Sequence, residues 1–122
     1  MSLKVYNSLT KKKETFKPIV RGKVKIYSCG PTVYNYIHIG NHRTFLMSDF
    51  LKRALKFNKF KVKHIMNITD IGHLSSDADA GEDKMVKAAM KEGKSVWDIA
   101  RFYTKAFKND LTDLNIETPN KF

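Results

Sequence analysis

The stretch "KVKIYSCGPTVYNYIHIGNHRTF", residues 23 to 45, predicts a strand, a sharp turn and the beginning of a helix. Residues 23 to 29 alternate between an apolar and a mainly polar face, and this pattern is typical of a strand. Gly30 and Pro31 interrupt the alternation and predict a turn. The only cysteine of the chain, Cys29, therefore stands at the carboxyl end of the predicted strand.

The segment after this turn has the pattern of a helix followed by a second strand. Residues 41 to 57 predict the helix, with Asn41 in position to cap its start and Asn58 suited to a left-handed stop. The expected core face of this helix comprises Phe45, Leu46, Phe50, Leu51, Ala54 and Leu55. Residues 60 to 68 alternate again, which predicts a strand. This order predicts a right-handed parallel crossover unit and hence an α/β fold.

The flanking segments add shorter elements. Residues 3 to 9 predict a strand, 10 to 18 a polar connection, 69 to 83 a long polar loop and 84 to 93 a short helix ended by glycine. Ser95 and Asp98 have the spacing of a capping box for a last helix near residues 96 to 114. We expect its apolar side chains to lie in the core, namely Val96, Trp97, Ile99, Ala100, Phe102, Tyr103, Phe107 and Leu111.

The composition restricts the classes of protein that the chain can represent. Its 122 residues are one domain or part of one, and no apolar run is long enough to span a membrane. A single cysteine cannot form an internal disulfide, and without a secretory signal we expect a cytoplasmic protein. The net charge of +11 favours a polyanionic partner such as nucleic acid, or simply a solvated lysine-rich surface.

Two parallel strands make a poor sheet by themselves, because parallel strands need covered faces. The residues after the last predicted helix, "NIETPNKF", are mainly polar and predict no closing element. We therefore expect residues 1 to 122 to be the front of a larger protein.

The residues at the carboxyl ends of the two core strands suggest a nucleotide site. In doubly wound α/β folds, ligands bind beyond these strand ends, and a helix N-terminus favours phosphate. Gly40 would let a ligand approach the backbone, while His38 and Asn41 can donate hydrogen bonds to phosphate oxygens. Taken alone, the four residues 38 to 41 are a weak signal and favour a turn glycine and a surface histidine over a nucleotide site. Asn67, Thr69, Asp70 and His73 would converge on the same edge from the second strand.

Four segments together resemble a known family: "YNSLTKKKETFKP", "YSCGPTVYNYIHIGNHRTF", "DFLKRAL" and "NITDIGH". In this order and spacing they are similar to the N-terminal part of cysteinyl-tRNA synthetases, which are class I aminoacyl-tRNA synthetases. The resemblance implies a partial Rossmann-like nucleotide-binding fold with parallel strands and crossover helices. It also implies that residues 1 to 122 are the N-terminal part of the catalytic domain, with its remainder and the tRNA-binding domain absent from this chain.

The resemblance implies a zinc ion held in part by Cys29, because the family's equivalent cysteine is a ligand of the active-site zinc. This zinc also takes the thiolate of the substrate cysteine, which distinguishes cysteine from serine. The family's other ligands lie downstream, so we expect the chain alone to hold zinc weakly or not at all. Gly30, Thr32 and Thr69 are implied to form the pocket for the substrate cysteine.

The resemblance also assigns His38, Gly40 and Asn41 to ATP, with His38 and Asn41 as the catalytic pair and Mg²⁺ accompanying the nucleotide. Asn41 departs from the commonest family form, which has a second histidine there; asparagine can donate a hydrogen bond but carries no charge. The family's second, lysine-rich ATP signature is missing. Lys84 and Met85 do not replace it, because the serine and second lysine are absent.

The implied reaction joins L-cysteine to ATP, forming cysteinyl adenylate, and then transfers the cysteinyl group to tRNA(Cys). We expect the isolated chain to be inactive and to need the rest of the polypeptide. Two alternatives remain open. One is a ligase of the same fold that joins cysteine to an amino sugar in thiol biosynthesis, and the other is a non-catalytic truncated paralogue that binds tRNA or a partner protein.

Overall fold

The computed structural model describes residues 3–70, Gly93 and residues 95–122. Over these residues the chain forms strands β1 (Lys4–Asn7), β2 (Lys12–Thr15) and β3 (Lys23–Ser28), helix α1 (Ile39–Phe57), strand β4 (Lys61–Met66) and helix α2 (Val96–Asp113). Most of the predicted loop at 69 to 83 and of the predicted helix at 84 to 93 lies outside the described residues.

Strands β3 and β4 form the parallel pair that the sequence predicts. Their register runs from Lys23 opposite Lys61 to Ser28 opposite Met66, and α1 connects them. Both strands therefore deliver their carboxyl ends to the same edge of the sheet, where the candidate site residues follow. The predicted α/β crossover from strand through helix to parallel strand is confirmed.

A hairpin precedes this unit, and here the sequence prediction was wrong. Residues 12–15 of the expected polar connection form β2, which pairs antiparallel with β1. Lys11 takes a positive φ of 55° in the turn, and the Glu14 carboxylate accepts hydrogen bonds from the side chains of Asn7 and Thr10. Polar side chains stabilise this exposed hairpin, so β2 lacks the apolar alternation that identifies a half-buried strand.

The ends of α1 also differ from the prediction. The N-cap is His38, whose ring Nδ1 accepts a hydrogen bond from the backbone N–H of Gly40 at 3.1 Å, so Asn41 lies inside the first turn. At the other end Asn58 has an ordinary φ of −79°, and Lys59 takes the left-handed conformation with φ 67°. The side-chain amide of Asn58 instead donates to the carbonyl oxygen of Ala54 at 2.8 Å.

The buried face of α1 is partly polar, which the apolar spacing did not predict. Phe45 and Leu55 are buried as expected, but Phe50 is 58% exposed and Leu51 39% exposed. Asp49 and Lys52 are buried in their stead. Their burial is tolerated because the segment after α2 supplies hydrogen-bond partners for both side chains.

This last segment, residues 115–122, runs beside β4 and corrects the expectation that no closing element exists. The amide of Glu117 donates to Asp49 at 3.0 Å, and the Lys52 ammonium donates to the carbonyl oxygens of Glu117 and Thr118 at 3.2 and 3.0 Å. Lys121 forms a parallel bridge with Ile65 of β4. The segment thus continues the sheet on the open side of β4.

The core lies between α1, α2 and the sheet. Its two clusters are centred on Val33, Ile99, Ala100 and Tyr103, and on Phe45, Met66, Phe107, Leu111 and Ile116. Ser95 caps α2 as predicted, accepting from the amide of Asp98 at 3.1 Å. Trp97 and Phe102 are 55% and 50% exposed, so the prediction that they belong to the core was wrong. Among the described residues, neither helix combines the length and apolarity needed to cross a membrane.

Candidate active site

The two loops that leave β3 and β4 remain hydrogen-bonded beyond the strand ends. The amide of Val33 donates to the carbonyl oxygen of Thr69 at 3.0 Å, and the amide of Thr69 donates to the carbonyl oxygen of Pro31 at 2.9 Å. These bonds make a parallel bridge between Thr32 and Thr69. Thr32 and Thr69, which the family resemblance placed in one pocket, are therefore neighbours in space.

Gly30 lies where the same two loops come closest. Its amide donates to the side-chain carbonyl of Asn67 at 3.0 Å. A Cβ atom at this position would overlap the backbone carbonyl oxygen of Asn67 and lie 2.9 Å from Cγ of Met66. Gly30 is thus required by the close approach of two backbones, which is a structural reason independent of any ligand.

The start of α1 has a defined donor arrangement. Because Nδ1 of His38 accepts the hydrogen bond from Gly40, the proton of the neutral ring is on Nε2. His38, Gly40 and Asn41 are all exposed. The first turn of α1 therefore presents a ring N–H, an amide side chain and a glycine that leaves backbone accessible, all at the positive end of the helix dipole.

A cleft of about 670 Å³ opens between this helix start and the preceding loop. It is lined by Thr32, Tyr34, Asn35, Tyr36, Ile37, His38 and Asn41. Three of the seven predicted site residues thus share one cavity: Thr32, His38 and Asn41. Gly40 and Thr69 each lie next to a lining residue, while Cys29 and Gly30 lie at the end of β3.

Sequence reasoning did not assign Tyr34, Asn35, Tyr36 and Ile37, which contribute over half of the cleft's lining residues. A usable signal was present, since polar and aromatic residues follow directly on the Gly-Pro turn at the carboxyl end of a parallel strand. These four residues lie together because the loop that carries them must return from the end of β3 to the start of α1.

Cys29 is an exposed thiol. Its sulfur suits zinc, and its exposure leaves it accessible to an ion. Within the described residues, however, no three histidine, cysteine, aspartate or glutamate side chains cluster closely enough to hold a metal ion. The chemistry of Cys29 fits one zinc ligand, but residues 3–70 and 95–122 do not complete a site.

The two other described histidines belong to the interior. His42 is buried, with its Nε2 atom 3.3 Å from the Asp110 carboxylate. His64 is 2% exposed and its Nε2 atom lies 2.7 Å from Ser28 Oγ. Burial, and then the nearby Lys52 charge, lower the pKa of His64 below its ordinary value.

Comparison with known proteins now identifies the family. The family model of the tRNA synthetases class I (C) catalytic domain matches residues 15–122. The chain belongs to this family. The resemblance drawn from the four sequence segments is confirmed, and so is the partial Rossmann-like α/β fold that it implied.

Individual relatives agree with the family match. A cysteine–tRNA ligase from Treponema denticola is 60% identical over 119 residues, which are 98% of this chain and 24% of the relative. Cysteine–tRNA ligases from Novosphingobium aromaticivorans and Borrelia hermsii are 52% and 51% identical over 98% and 99% of this chain, and over 24% and 25% of their own lengths. The chain spans about a quarter of the length of these curated relatives.

Proposed function

We propose that this chain is the N-terminal part of the catalytic domain of a cysteine–tRNA ligase. The ligase activates L-cysteine with ATP and transfers the cysteinyl group to the 3′ end of tRNA(Cys). The observation that carries this proposal is the shared cleft, in which Thr32, His38 and Asn41 meet beyond the ends of two parallel strands. That arrangement, in a chain of this synthetase family, matches the needs of adenylate formation.

In the first step the carboxylate oxygen of L-cysteine attacks the α-phosphorus of ATP, and the bond to the β-phosphate oxygen breaks. The products are cysteinyl adenylate and pyrophosphate. His38 donates from Nε2–H and Asn41 from its side-chain amide to phosphate oxygens whose charge grows during the displacement. His38 and Asn41 remain chemically unchanged, because they act by orienting the phosphate and stabilising its charge. Mg²⁺ would accompany the nucleotide.

Gly40 leaves the first turn of α1 open to the nucleotide. It is exposed, and a Cβ atom there would stand 3.3 Å from Nδ1 of His38. A side chain would therefore crowd the ring that caps the helix. The absence of a side chain serves both the ATP contact and the orientation of His38.

We assign the amino-acid pocket to the adjacent Thr32 and Thr69, with Gly30 contributing backbone. The parallel bridge between the two threonines and the amide of Gly30 bound to Asn67 keep this part of the loops in one conformation. Hydroxyl groups held in this way can orient the polar groups of L-cysteine beside the α-phosphate.

Cys29 would supply one ligand to a zinc ion whose other ligands are not among the described residues. Bound zinc would hold the thiolate of the substrate and so distinguish it from serine. The zinc content of the protein should depend on Cys29 whether or not the protein is active.

The tRNA ligase is preferred over the two other candidates because the similar proteins named above, at 51 to 60% identity, are cysteine–tRNA ligases. An amino-sugar ligase would accept a sugar amine and be indifferent to tRNA(Cys). A non-catalytic module would bind RNA or protein without cysteine-dependent chemistry. We infer a cytoplasmic enzyme, because its tRNA substrate is used there, and one that needs further polypeptide for activity.

The test uses a joined polypeptide, in which this chain replaces the segment that it matches in the Treponema denticola ligase. We expect pyrophosphate exchange that depends on L-cysteine, and cysteinylation of tRNA(Cys). Asn41→Ala should lower exchange by about tenfold or more, as loss of a transition-state hydrogen bond does. Asn109→Ala, an exposed asparagine on α2, is the matched control.

The proposal fails if the joined polypeptide folds and binds ATP but performs no exchange with L-cysteine. It also fails if Asn41→Ala and Asn109→Ala behave alike. The zinc content is measured separately, and Cys29→Ser should lower the amount of zinc bound per polypeptide. An unchanged zinc content would show that Cys29 is not a zinc ligand.

A further inference from the structure

Three aromatic rings form a compact group beside the cleft, which we term the aromatic corner: Tyr36, Phe102 and Tyr103. The ring of Tyr36 lies 5.2 Å from that of Tyr103 and 6.1 Å from that of Phe102, and the rings of Phe102 and Tyr103 are 5.1 Å apart. All three pairs are edge-to-face, with interplanar angles of 75° to 88°. This geometry is favourable for aromatic pairs and holds the rings in place.

The corner consists of a buried base and two exposed rings. Tyr103 is 8% exposed and belongs to the core cluster around Val33 and Ile99, whereas Tyr36 and Phe102 are 64% and 50% exposed. Leaving two large rings half in water forgoes the stabilisation that full burial would provide. Rigid exposed rings are, however, a surface on which a flat apolar ligand can stack without further ordering.

The corner extends the candidate active site onto the second helix. Tyr36 lines the cleft together with His38, but Phe102 lies on α2 and outside the cleft lining. A ring stacked against Phe102 therefore belongs to a ligand that reaches out of the cleft.

The charge around the corner indicates the class of this ligand. Lys105 is exposed on α2 about one turn after Phe102, Arg101 is exposed beside it and forms an ion pair with Asp98, and the chain carries a net charge of +11. Exposed rings next to cationic side chains are the combination that binds single-stranded nucleic acid, through base stacking and phosphate attraction.

We propose that Tyr36 and Phe102 stack an unpaired base of the 3′ end of tRNA and so guide this end towards the cleft. The assignment rests on the proposed ligase function, because that reaction requires an RNA 3′ end beside the adenylate. The two rings recognise a purine or pyrimidine ring by stacking. The adenine of ATP, like a base of tRNA, contains such a ring.

The first experiment measures RNA binding by the chain itself. A fluorescent single-stranded RNA with the 3′-terminal sequence of tRNA is titrated at low salt, and anisotropy gives its dissociation constant. Phe102→Ala should weaken binding by about tenfold, within the range observed when a stacking aromatic is removed, and Phe102→Tyr should restore it. The matched control is Phe57→Ala.

Phe57 is a suitable control because it is 84% exposed and ends the 19-residue helix α1, about 27 Å from the end at which His38 lies. Its replacement should change RNA binding by less than about twofold. Since Phe102 is half exposed, its alanine variant should remain folded. If that variant unfolds, Phe102→Tyr still tests the role of the ring, because it keeps an aromatic side chain at this position. Absence of RNA binding, equal losses for Phe57→Ala and Phe102→Ala, or no recovery with Phe102→Tyr would overturn the proposal.

The second experiment distinguishes the two sources of the base in the joined polypeptide. Phe102→Ala should raise the KM for tRNA by about tenfold and the KM for ATP much less. If the KM for ATP rises as much as that for tRNA, the ring binds adenine and the assignment to tRNA is wrong. Failure of the proposed function would be distinct, because it would abolish exchange in the unaltered joined polypeptide.

Discussion

The backbone amide of Gly30 donates a hydrogen bond to the side-chain carbonyl of Asn67 at 3.0 Å, and this bond joins the carboxyl ends of β3 and β4. It lies beside Cys29 and two residues before Thr32. The loops that carry the candidate site are therefore fixed to each other at the point where they leave the sheet. A change at Gly30 should disturb the fold before it disturbs any ligand.

Gly30→Ala should lower the free energy of unfolding by about 3 kcal/mol, because the new Cβ would overlap the carbonyl of Asn67 and one loop would have to move. Urea denaturation of the chain measures this. Gly40→Ala is the comparison, since its Cβ would meet only the side chain of His38. Equal stabilities of Gly30→Ala and the unaltered chain would show that the two loops are not in close contact.

Gly40→Ala should separate stability from nucleotide binding. Alanine is a better helix former than glycine by up to about 1 kcal/mol, while loss of the His38 cap costs about as much, so the stability of the chain should change by less than about 1 kcal/mol. The added Cβ, 3.3 Å from Nδ1 of His38, should displace the capping ring and cover the first turn of α1. We expect the KM for ATP of the joined polypeptide to increase by about tenfold. An unchanged KM for ATP would show that the start of α1 does not bind the nucleotide.

Lys52→Met should uncouple the last segment of the chain from α1. The buried ammonium donates to the carbonyl oxygens of Glu117 and Thr118 and lies 3.3 Å from the Glu117 carboxylate, so its loss removes a donor from both carbonyls and a cation from Glu117. We expect a loss of about 2 to 3 kcal/mol in urea denaturation.

Lys56→Met is the matched control for this experiment. Lys56 is exposed and its ammonium lies 2.5 Å from the Glu117 carboxylate, so its replacement should cost less than about 1 kcal/mol. If both methionine variants lose the same stability, the buried position of Lys52 has no special role.

His64 should make the stability of the chain depend on pH. Burial lowers its pKa in the folded state, so just below its ordinary value of 6.5 the unfolded chain binds more protons than the folded one. The free energy of unfolding should therefore fall as pH decreases from 7.5 to 5.5, with a contribution from this group of at most about 1.4 kcal/mol per pH unit. His64→Gln should flatten this dependence in urea denaturation at several pH values. An identical slope in the variant would contradict the prediction.

The sequence determined the parallel β3–α1–β4 unit, because strand and helix periodicity are local properties of adjacent residues. It also determined the family, since "YSCGPTVYNYIHIGNHRTF" and "NITDIGH" combine a strand end, a turn and a helix start in a specific order. The cap of α2 at Ser95 was predictable for the same reason, as it depends on residues three positions apart.

Other features were not accessible from local patterns. The strand β2 has the composition of a loop and is specified by its pairing with β1. The polar face of α1 could not be foreseen, because Asp49 and Lys52 are buried by partners more than sixty positions further along the chain. The N-cap by His38 was missed because histidine is an uncommon capping residue, and its Nδ1 atom accepts a hydrogen bond only in the neutral tautomer that is protonated on Nε2.

The sequence by itself determined which residues stand at the carboxyl ends of the strands and at the start of α1, since these positions follow from chain order. Only the tertiary structure decided that Thr32, His38 and Asn41 share a cleft, that Gly30 is required by Asn67, and that Phe102 faces water next to Tyr36. The physical reason is that contacts between distant segments depend on how the loops return and how α2 packs. No periodicity within a short window encodes that packing.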